Sequence, residues 1–554
     1  MDNIDVASAL GYYARLAELH DQNPYKIKAY AAAAFNLRKV KQPLQSLTQA
    51  EVEAIPGVGK SVSKAIVLLA TTGSFPELEE LERDTPAGVL DMLHIKGLGP
   101  KKVHVIWKNM GLLSVEALLD ACRENRLVAQ SGFGYKTQAE IIKAIEFAEA
   151  GKGSLHYARA EPDGLRILSA LQHINGSVAS ATGAFRRCME VLQSLDFLSS
   201  ASAPEITQVL EATGCTEIET SETYIAARAS CGLPVHVLQA EEVSFQHQLL
   251  LSTGPEEHLA ALGPVSEASV TDEEAYYHSL GLHFIPAEVR DHPQALQEAA
   301  KGDFSNLISF EHLQGVLHNH STWSDGLNTL EEMALACRSK GYTYFAICDH
   351  SRSAAYAHGL EIERVRQQFK EVEALNEQLR PFKVFKGIES DILADGSLDY
   401  PDELLAEFDL VVASVHSNLK MELERATERI IRAVEHPATT ILGHPTGRLL
   451  LLRSGYPIDH QKVIDACAAN KVAIELNAHP YRLDIDWRWI YRAMEKGVMI
   501  SINPDAHEKD GIADMRFGAL AARKGMLKRA FCLNALSLSE FEVYLAEKRA
   551  FRRA

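Results

Sequence analysis

Short apolar runs alternate with amphipathic stretches along the second half of the chain, and the runs end at polar residues. Residues 344–348 (YFAIC) lead into an aspartate and a histidine, and residues 410–415 (LVVASV) lead into His416. Short apolar runs of this kind indicate strands, whereas residues 331–340 have a helical pattern. Alternating strands and helices predict a parallel barrel whose functional site lies at the carboxyl ends of its strands.

The first 150 residues have a helical pattern that is interrupted by short glycine turns. Residues 4–20 are amphipathic with helical spacing, and residues 24–40 are an alanine-rich stretch that begins with a proline. Two Gly-x-Gly turns at residues 57–59 and 97–99 separate further helical stretches, and a looser copy lies at residues 132–134. This pattern predicts an all-α front region with three hairpins.

The three turns resemble helix-hairpin-helix motifs. Glycine lets the backbone turn tightly, so the amides at the start of the following helix can face a phosphate. A single Gly-x-Gly turn is usually only a helix connection, but three copies with lysine or proline at matching places indicate binding to the DNA backbone without sequence preference. The predicted DNA-binding residues are Gly57, Gly59, Lys60, Gly97, Gly99, Lys101, Lys102, Gly132 and Gly134.

Residues with metal-binding side chains follow the apolar runs of the second half. His318 and His320 alternate after an apolar pair, which places both imidazoles on one side of a strand end, and Asp325 follows in a Ser-Asp-Gly turn. Other runs deliver Glu389, His350, His416, His444, Asp505 and His507. One His-x-His pair is weak evidence, but the repetition of the pattern predicts a metal site.

This arrangement resembles the PHP domain, the polymerase and histidinol phosphatase family, whose members form a distorted seven-stranded barrel and bind up to three metal ions. The resemblance implies three ion sites, two of which share Glu389 as a bridge. The first would be held by His318, His320, Glu389 and Asp505, the second by Glu389, His416 and His444, and the third by Asp325, His350 and His507.

The donor types of these nine residues favour the same chemistry. Six imidazoles and three carboxylates suit manganese, zinc or iron, whereas magnesium and calcium prefer oxygen ligands. Neighbouring ions can activate a water and neutralise a leaving oxygen, so we predict phosphoester hydrolysis with these residues as the catalytic set. Arg352, Arg448 and Arg482 are candidates for contact with the substrate phosphate, and an ordinary surface or supporting role is the alternative for each.

Length and composition restrict the class of protein. A chain of 554 residues is too long to fold around one hydrophobic core. No apolar run approaches the roughly 20 residues that are needed to cross a bilayer. Eight cysteines without a Cys-x-x-Cys pair favour a reducing compartment, and the cytoplasm is the expected location. The net charge of -18 argues against a general nucleic-acid coat protein, yet residues 1–150 carry 17 Lys and Arg against 18 Asp and Glu, which leaves room for a local basic face.

The middle of the chain resembles a polymerase palm, but its acidic positions differ. The order of hairpins, this segment and a PHP domain is similar to the bacterial family X DNA polymerases along essentially the whole chain. Their Gly-Ser-x-Arg-Arg motif corresponds to residues 183–187 (GAFRR), and their nucleotide-pocket motif corresponds to residues 251–255 (LSTGP). Their Asp-x-Asp pair is Ser194-Leu195-Asp196 here, and His236 stands where they carry a third aspartate.

These substitutions predict that the polymerase reaction is lost. Nucleotidyl transfer needs magnesium ions held by oxygen ligands, and Asp196 is one carboxylate where the resemblance expects three. A serine hydroxyl is a weak ligand and an imidazole favours softer metals. Glu241 or Glu242 could supply a carboxylate if the strand register were shifted, and the two motif arginines could contact DNA or pair with Glu190.

We therefore predict a multidomain protein with an all-α helix-hairpin-helix region, an α+β nucleotidyltransferase-like palm and a distorted (β/α)7 PHP barrel. The predicted domains are residues 1–85 with the first hairpin, 86–150 with two further hairpins, 151–310 as a palm and thumb-like region, and 311–554 as the metal-dependent phosphoesterase.

The predicted function is a DNA-binding, metal-dependent phosphoesterase, a 3'-5' exonuclease or repair nuclease. It would act as a monomer, without a membrane, on gapped, nicked or single-stranded DNA ends. The alternatives are an active family X polymerase in base excision repair, a small-molecule phosphatase of the histidinol phosphate kind, and a DNA-binding scaffold without catalysis. Intact ligands argue against the scaffold, and the retained hairpins argue against the small-molecule phosphatase.

Overall fold

The structure is a computed structural model that describes residues 1, 3–38, 40, 42–221, 223–266 and 270–553. The chain divides into two compact units, Met1–Lys152 and Gly153–Ala554. The predicted limits of four domains within these units stay a prediction. Among the described residues, no helix combines the length and the apolar character that spanning a bilayer requires.

The first unit is built from helices, as predicted. Its α-helices are α1 (Asn3–Leu19), α2 (Pro24–Leu37), α3 (Gln49–Glu53), α4 (Lys60–Thr72), α5 (Pro76–Arg83), α6 (Ala87–Met92), α7 (Pro100–His104), α8 (Val115–Arg123) and α9 (Tyr135–Ala150). A π-helical turn at Val105–Asn109 extends α7. The ring of Tyr13 lies 4.5 Å from that of Tyr30 and 5.0 Å from that of Phe75, so aromatic packing joins α1, α2 and the segment before α5.

The second unit begins with the palm region. A short antiparallel pair, β1 (Leu155–His156) and β3 (Val191–Leu192), lies beside a five-stranded sheet in the order β2-β4-β7-β6-β5. The strands of this sheet are β2 (Ala179–Ala181), β4 (Leu195–Ser199), β5 (Thr216–Thr220), β6 (Tyr224–Arg228) and β7 (Pro234–Gln239). The helices are α10 (Tyr157–Gln172), α11 (Gly183–Arg186), α12 (Ala203–Ala212), α13 (Phe245–Thr253), α14 (Glu256–Leu262), α15 (Glu273–Ser279) and α16 (Ala295–Ala299).

The rest of the second unit is a seven-stranded parallel barrel in the order β14-β13-β12-β11-β10-β9-β8, which confirms the predicted (β/α)7 class. Its strands are β8 (Gly315–Val316), β9 (Tyr344–Ile347), β10 (Lys383–Asp391), β11 (Leu410–Ser414), β12 (Ile441–Leu442), β13 (Ala473–Asn477) and β14 (Ile500–Asn503). The helices are α17 (Leu330–Ser339), α18 (Ile362–Leu379), α19 (Asp402–Leu405), α20 (Leu423–Glu435), α21 (His460–Asn470), α22 (Ile490–Glu495), α23 (Met515–Lys524) and α24 (Leu538–Arg553).

The barrel closes at the carboxyl ends of its first and last strands. Every residue of β9, β11 and β14 is buried, which explains the uninterrupted apolar runs in the sequence. A parallel bridge pairs Asn319 with Ala506, and the amide of His320 donates to the carbonyl of Ala506 at 2.8 Å. The segments that carry the predicted ligands are therefore fixed to each other through the backbone.

Candidate metal centre

The nine predicted ligands lie together at the carboxyl end of the barrel, and we refer to them as the candidate metal centre. They are His318, His320 and Asp325 after β8, His350 after β9, Glu389 within β10, His416 after β11, His444 after β12, and Asp505 and His507 after β14. Because parallel strands all end at the same rim, the fold brings these distant residues into one cluster.

One group of the cluster surrounds His318 and His320. Their Nε2 atoms are 3.3 Å apart, and Nε2 of His320 lies 3.0 Å from Oδ1 of Asp505. The Glu389 carboxylate lies 3.5 Å from Nε2 of His318 and 3.6 Å from Nε2 of His320. These are the residues that the resemblance to the PHP domain assigns to the first ion.

A second group shares the same glutamate. Oε1 of Glu389 lies 3.0 Å from Nε2 of His444 and 3.2 Å from Nε2 of His416. Its Oε2 atom lies 3.0 Å from Nδ1 of His350. The second predicted group is thus brought together, and His350 joins it.

The third group contains Asp325 and His507. Oδ1 of Asp325 lies 3.4 Å from Nε2 of His507 and 3.7 Å from Nε2 of His350. The ring of His320 stacks on that of His507 with centroids 4.1 Å apart. His320 and His350 therefore connect this group to the other two, and potential ligand atoms of His320, Asp325, His350 and His507 all lie within 4.8 Å of one another.

Buried carboxylates and one backbone carbonyl orient three of the imidazoles, and the sequence analysis did not identify them. Glu475 on β13 accepts a hydrogen bond from Nδ1 of His318 at 2.7 Å, and Asp391 at the end of β10 accepts one from Nδ1 of His416 at 2.6 Å. Nδ1 of His507 donates to the backbone carbonyl of Asp505 at 2.9 Å. In the neutral form of each ring, these hydrogen bonds keep the proton on Nδ1 and leave the lone pair of Nε2 for a metal ion.

The position of Glu475 could have revealed it. It is a single carboxylate inside the apolar run of residues 472–476 (VAIEL), where it is fully buried. A buried carboxylate in the middle of a strand requires partners, and Glu475 also accepts from the amide of His444 and from the side chain of Asn503. The sequence analysis considered polar residues that come after an apolar run, and it missed Glu475 because this residue lies inside such a run.

Burial and charge act against each other on the carboxylates of the cluster. Burial alone would raise the pKa of Glu389, but the imidazoles of His416 and His318 outweigh it and hold that pKa well below its usual value. Burial is likewise opposed at Asp505 by His318 and by the hydrogen bond with His320, and the pKa of Asp505 is held well below its usual value. Both groups are anionic at neutral pH.

The residues of the cluster fit divalent metal ions. Among the buried polar side-chain atoms of the described residues, Oε2 of Glu389 and Nδ1 of His350 have no hydrogen-bond partner, although they lie 3.0 Å apart. The Nε2 atoms of His318, His416 and His507 lie 3.2 to 3.5 Å from carboxylate oxygens in the same space. Buried nitrogen and oxygen atoms this close together can hold a cation between them, and mixed imidazole and carboxylate donors suit borderline divalent ions.

The three predicted phosphate-binding arginines have different surroundings. Nη1 of Arg482 donates to Oδ2 of Asp505 at 3.2 Å, so this guanidinium reaches the cluster. Arg352 follows His350 closely in sequence, and its side chain is 45% exposed. Arg448 donates to the carbonyls of Arg482 and Leu483 and to Asp486, so its nitrogens hold the loop after β13.

The palm residues Ser194, Asp196 and His236 also lie together, and we refer to them as the palm site. The parallel pairing of β4 and β7 places Asp196 directly opposite His236. The hydroxyl of Ser194 donates to both carboxylate oxygens of Asp196 at 2.9 and 2.8 Å, and Nδ1 of His236 lies 3.0 Å from Oδ1. Glu241 and Glu242 lie beyond the end of β7, so the residue opposite Asp196 is His236 and neither glutamate.

The two motif arginines of the palm form ion pairs that the sequence analysis did not anticipate. Arg186 donates to Glu273 on α15 at 2.5 Å and to the hydroxyl of Thr253. Arg187 donates to Asp291 at 3.1 Å. Pairing with Glu190, one of the two alternatives for these arginines, is not formed: Glu190 accepts from Nε1 of Trp487 and from Arg488 in the barrel region.

The three hairpins of the first unit share one backbone geometry. Gly57, Gly97 and Gly132 have φ values of 80°, 89° and 91°, which favour glycine, and the second glycine of each turn is the N-cap of the next helix. A side chain added at Gly59 or Gly99 would meet no atom within 4 Å. The amides that begin α4, α7 and α9 thus have open space in front of them.

Comparison with protein-family models gives three matches. A helix-hairpin-helix domain matches residues 1–75, a SAM-like helix-hairpin-helix tandem matches residues 89–146, and a PHP domain matches residues 316–479. With the geometry above, these matches define the class: a protein that combines helix-hairpin-helix modules with a PHP barrel.

The relatives identify the family. The chain is 34% identical to the DNA polymerase/3'-5' exonuclease PolX of Bacillus subtilis (strain 168) over 579 aligned residues, which cover 98% of this chain and 99% of that protein. A probable phosphatase of Thermoanaerobacter sp. (strain X514) is 27% identical over 38% of this chain and 92% of its own length. The near full-length alignment shows that the chain belongs to the PolX family of DNA polymerases.

Proposed function

We propose that this protein is a DNA-binding, metal-dependent phosphoesterase that removes nucleotides from 3' ends. The observation that carries the proposal is the environment of Glu389. Its carboxylate lies within 3.6 Å of a nitrogen of each of five imidazoles, His318, His320, His350, His416 and His444. The full-length similarity to a protein named DNA polymerase/3'-5' exonuclease supports the same activity.

We propose that the nine residues hold three divalent ions, of manganese, zinc or iron, and form the catalytic site. Such ions, when bound, supply an activated water and neutralise charge on the phosphate and on the leaving oxygen. The chain's own residues orient the site: Glu475 and Asp391 keep the protons of His318 and His416 on Nδ1. Arg482, which donates to Asp505, and the partly exposed Arg352 are placed to meet the negative charge of the substrate.

The hairpins would hold the DNA. Three turns with open amides at helix starts, followed by Lys60, Lys101, Lys102 and other lysines, suit contacts to the phosphate backbone. We propose gapped, nicked or single-stranded DNA ends as substrates, a monomeric protein and a cytoplasmic location. We also propose the domain limits 1–85, 86–150, 151–310 and 311–554.

We propose that the palm site does not catalyse nucleotide addition. Asp196 has both carboxylate oxygens engaged by Ser194, and one of them also by His236. The family pattern expects two further carboxylates at the positions of Ser194 and His236, and magnesium in nucleotidyl transfer needs oxygen ligands of that kind. The hydrolytic site would then be the catalytic centre of the protein.

A small-molecule phosphatase is the second candidate function. Relatives that align with 29 to 38% of this chain are named probable phosphatases, and they share 26 to 31% identity with it. The two hairpin matches in the first unit favour the DNA substrate for the present protein.

The proposal is tested with the full chain loaded with manganese, zinc or ferrous iron. DNA labelled at its 5' end, as a single strand and as a one-nucleotide-gapped duplex, should be shortened stepwise from the 3' end. The Glu389→Ala variant, assayed on the same DNA, is the control for contaminating nucleases. Turnover of histidinol phosphate with DNA left intact would establish the second candidate instead.

A further inference from the structure

An exposed tyrosine stands beside the candidate metal centre. Tyr356 lies on a 3-10 turn at Ala355–Ala357, shortly after His350, and 68% of the residue is exposed. Its ring centroid is 6.0 Å from that of His350 and 6.4 Å from that of His416. A flat aromatic surface is thus available to a molecule whose phosphate lies at the cluster.

The turn that carries Tyr356 is fixed on both sides. The amide of Ala354 donates to the carbonyl of Ser351 at 3.1 Å, and the amide of Leu360 donates to the carbonyl of His350 at 2.9 Å. Ser353 is held by its amide to Asp399 at 2.6 Å and by its hydroxyl to Asp391 at 2.7 Å. The ring is therefore presented from an anchored backbone.

Glycine is required at the end of this turn. A side chain at Gly359 would lie 1.9 Å from the carbonyl oxygen of Ser351, so only glycine permits the close approach that closes the turn. The exposed tyrosine is thus displayed by a local structure that tolerates little change.

Packing does not account for Tyr356. An aromatic ring that stays mostly in water contributes little hydrophobic stabilisation, whereas Tyr481, another tyrosine of the second unit, packs against the ring of His156 at 4.2 Å. Nucleobases stack on exposed aromatic side chains in single-stranded DNA sites, whatever their sequence. A small phosphate ester without a base would gain nothing from such a surface.

We propose that Tyr356 stacks on the base of the 3'-terminal nucleotide while the adjoining phosphodiester lies at the metal centre. This inference rests on the proposed function and specifies its substrate as a DNA end whose terminal base is unpaired. Tyr356 is then a specificity-determining residue that favours a DNA end with a terminal base over a phosphate ester without an aromatic group.

The test compares two single-stranded oligonucleotides that differ at their 3' end, one with a normal nucleotide and one with an abasic tetrahydrofuran residue. The metal-loaded full chain is assayed as wild type, Tyr356→Ala and Tyr356→Phe, with Phe310→Ala as a matched exposed-aromatic control before the first barrel strand. Tyr356→Ala should lower kcat/KM for removal of the normal nucleotide roughly 5- to 100-fold, in line with stacking of one base. The loss should vanish on the abasic end, and Tyr356→Phe and Phe310→Ala should behave as wild type.

Several results would overturn the inference. If Tyr356→Ala lost activity equally on both substrates, the residue would act by supporting the metal centre or the fold. If Tyr356→Phe also lost activity, the hydroxyl group would carry the role. Unchanged activity of Tyr356→Ala on normal DNA would refute stacking while leaving the proposed function intact. Failure of the wild type to shorten either oligonucleotide, with metal bound, would refute the proposed function itself.

Discussion

The barrel and the palm of the second unit each bring carboxylates and imidazoles together, but the two sites differ in what their lone pairs face. In the barrel, Oε2 of Glu389 and Nδ1 of His350 lie 3.0 Å apart, and neither atom has a hydrogen-bond partner. In the palm, the oxygens of Asp196 already accept from Ser194 and from His236. A cation site is therefore recognised by acceptors that face other acceptors, and residue types alone do not show it.

Burial separates the two sites as well. The side chain of Glu389 is 1% exposed, whereas that of His236 is 43% exposed. Water can satisfy the palm residues without an ion, but it cannot reach the glutamate of the barrel. Substitutions should therefore differ in the size of their effect, which we expect to be largest at the barrel glutamate and smallest at the palm aspartate.

Glu389→Ala should have the largest effect. It removes a carboxylate shared by two groups of ligands, so hydrolysis should fall by more than the roughly 100-fold that marks loss of an orienting partner. Metal analysis of the purified variant should show fewer bound ions, while its DNA affinity should match that of the wild type. Full metal content together with full activity would show that Glu389 is not a shared metal ligand.

Glu475→Gln should have the next largest effect. Its carboxylate accepts the Nδ1 proton of His318, and loss of such a partner typically lowers metal affinity or activity about 10- to 100-fold. A titration of the metal-free protein with manganese, zinc or iron would measure the change in affinity. Glu424→Gln, an exposed substitution at the start of α20, is the matched control and should leave the affinity unchanged.

Gly59→Leu and Gly99→Leu should weaken DNA binding without disturbing either site. Both glycines have negative φ and open space for a side chain, so the fold should persist while the new side chain blocks an approaching phosphate. The slope of log affinity against log salt on duplex DNA should become shallower by about 0.9 for each phosphate that the variant no longer neutralises.

Gly302→Leu is the control for the hairpin variants, because Gly302 also has open space and lies in the second unit. Its DNA affinity and salt dependence should equal those of the wild type. Equal binding by all three variants would show that the hairpins do not hold the DNA.

Asp196→Ala should have the smallest effect. Hydrolysis should stay within about twofold of the wild type, since stability and activity changes are small at sites outside a functional network. Primer extension on one-nucleotide-gapped duplex should be absent with and without the substitution, when His320→Ala prevents degradation of the product. Template-directed incorporation that disappears in Asp196→Ala would show that the palm site is active.

The sequence was sufficient to predict the barrel and the clustering of the nine residues, because the strands of a parallel barrel are buried and their carboxyl ends meet at one rim. The palm register was also predictable: His236 stands opposite Asp196, as the short apolar strand suggested. Glu475 was missed because it lies inside its apolar run. The ligand roles of the nine residues remain a prediction.

The partners of Arg186 and Arg187 could not be predicted from sequence. Glu190 was the nearby candidate, yet the pairs are formed with Glu273 and Asp291, which are 87 and 104 residues away from the arginines. Such contacts depend on how helices and loops of the palm region pack, and no local pattern encodes them. The same limit applies to Tyr356, whose exposure becomes visible only when the turn is folded.

The ion pairs of the palm have a consequence for how the second unit unfolds. Lys524 on α23 of the barrel is 1% exposed and pairs with Asp291, the partner of Arg187, while Arg516 pairs with Glu161 on α10 at 2.5 Å. The Asp291→Ala substitution would leave the buried Lys524 charge without this partner, at a cost of about 3 to 5 kcal/mol. Because these ion pairs join palm and barrel, the two regions should melt in one calorimetric transition.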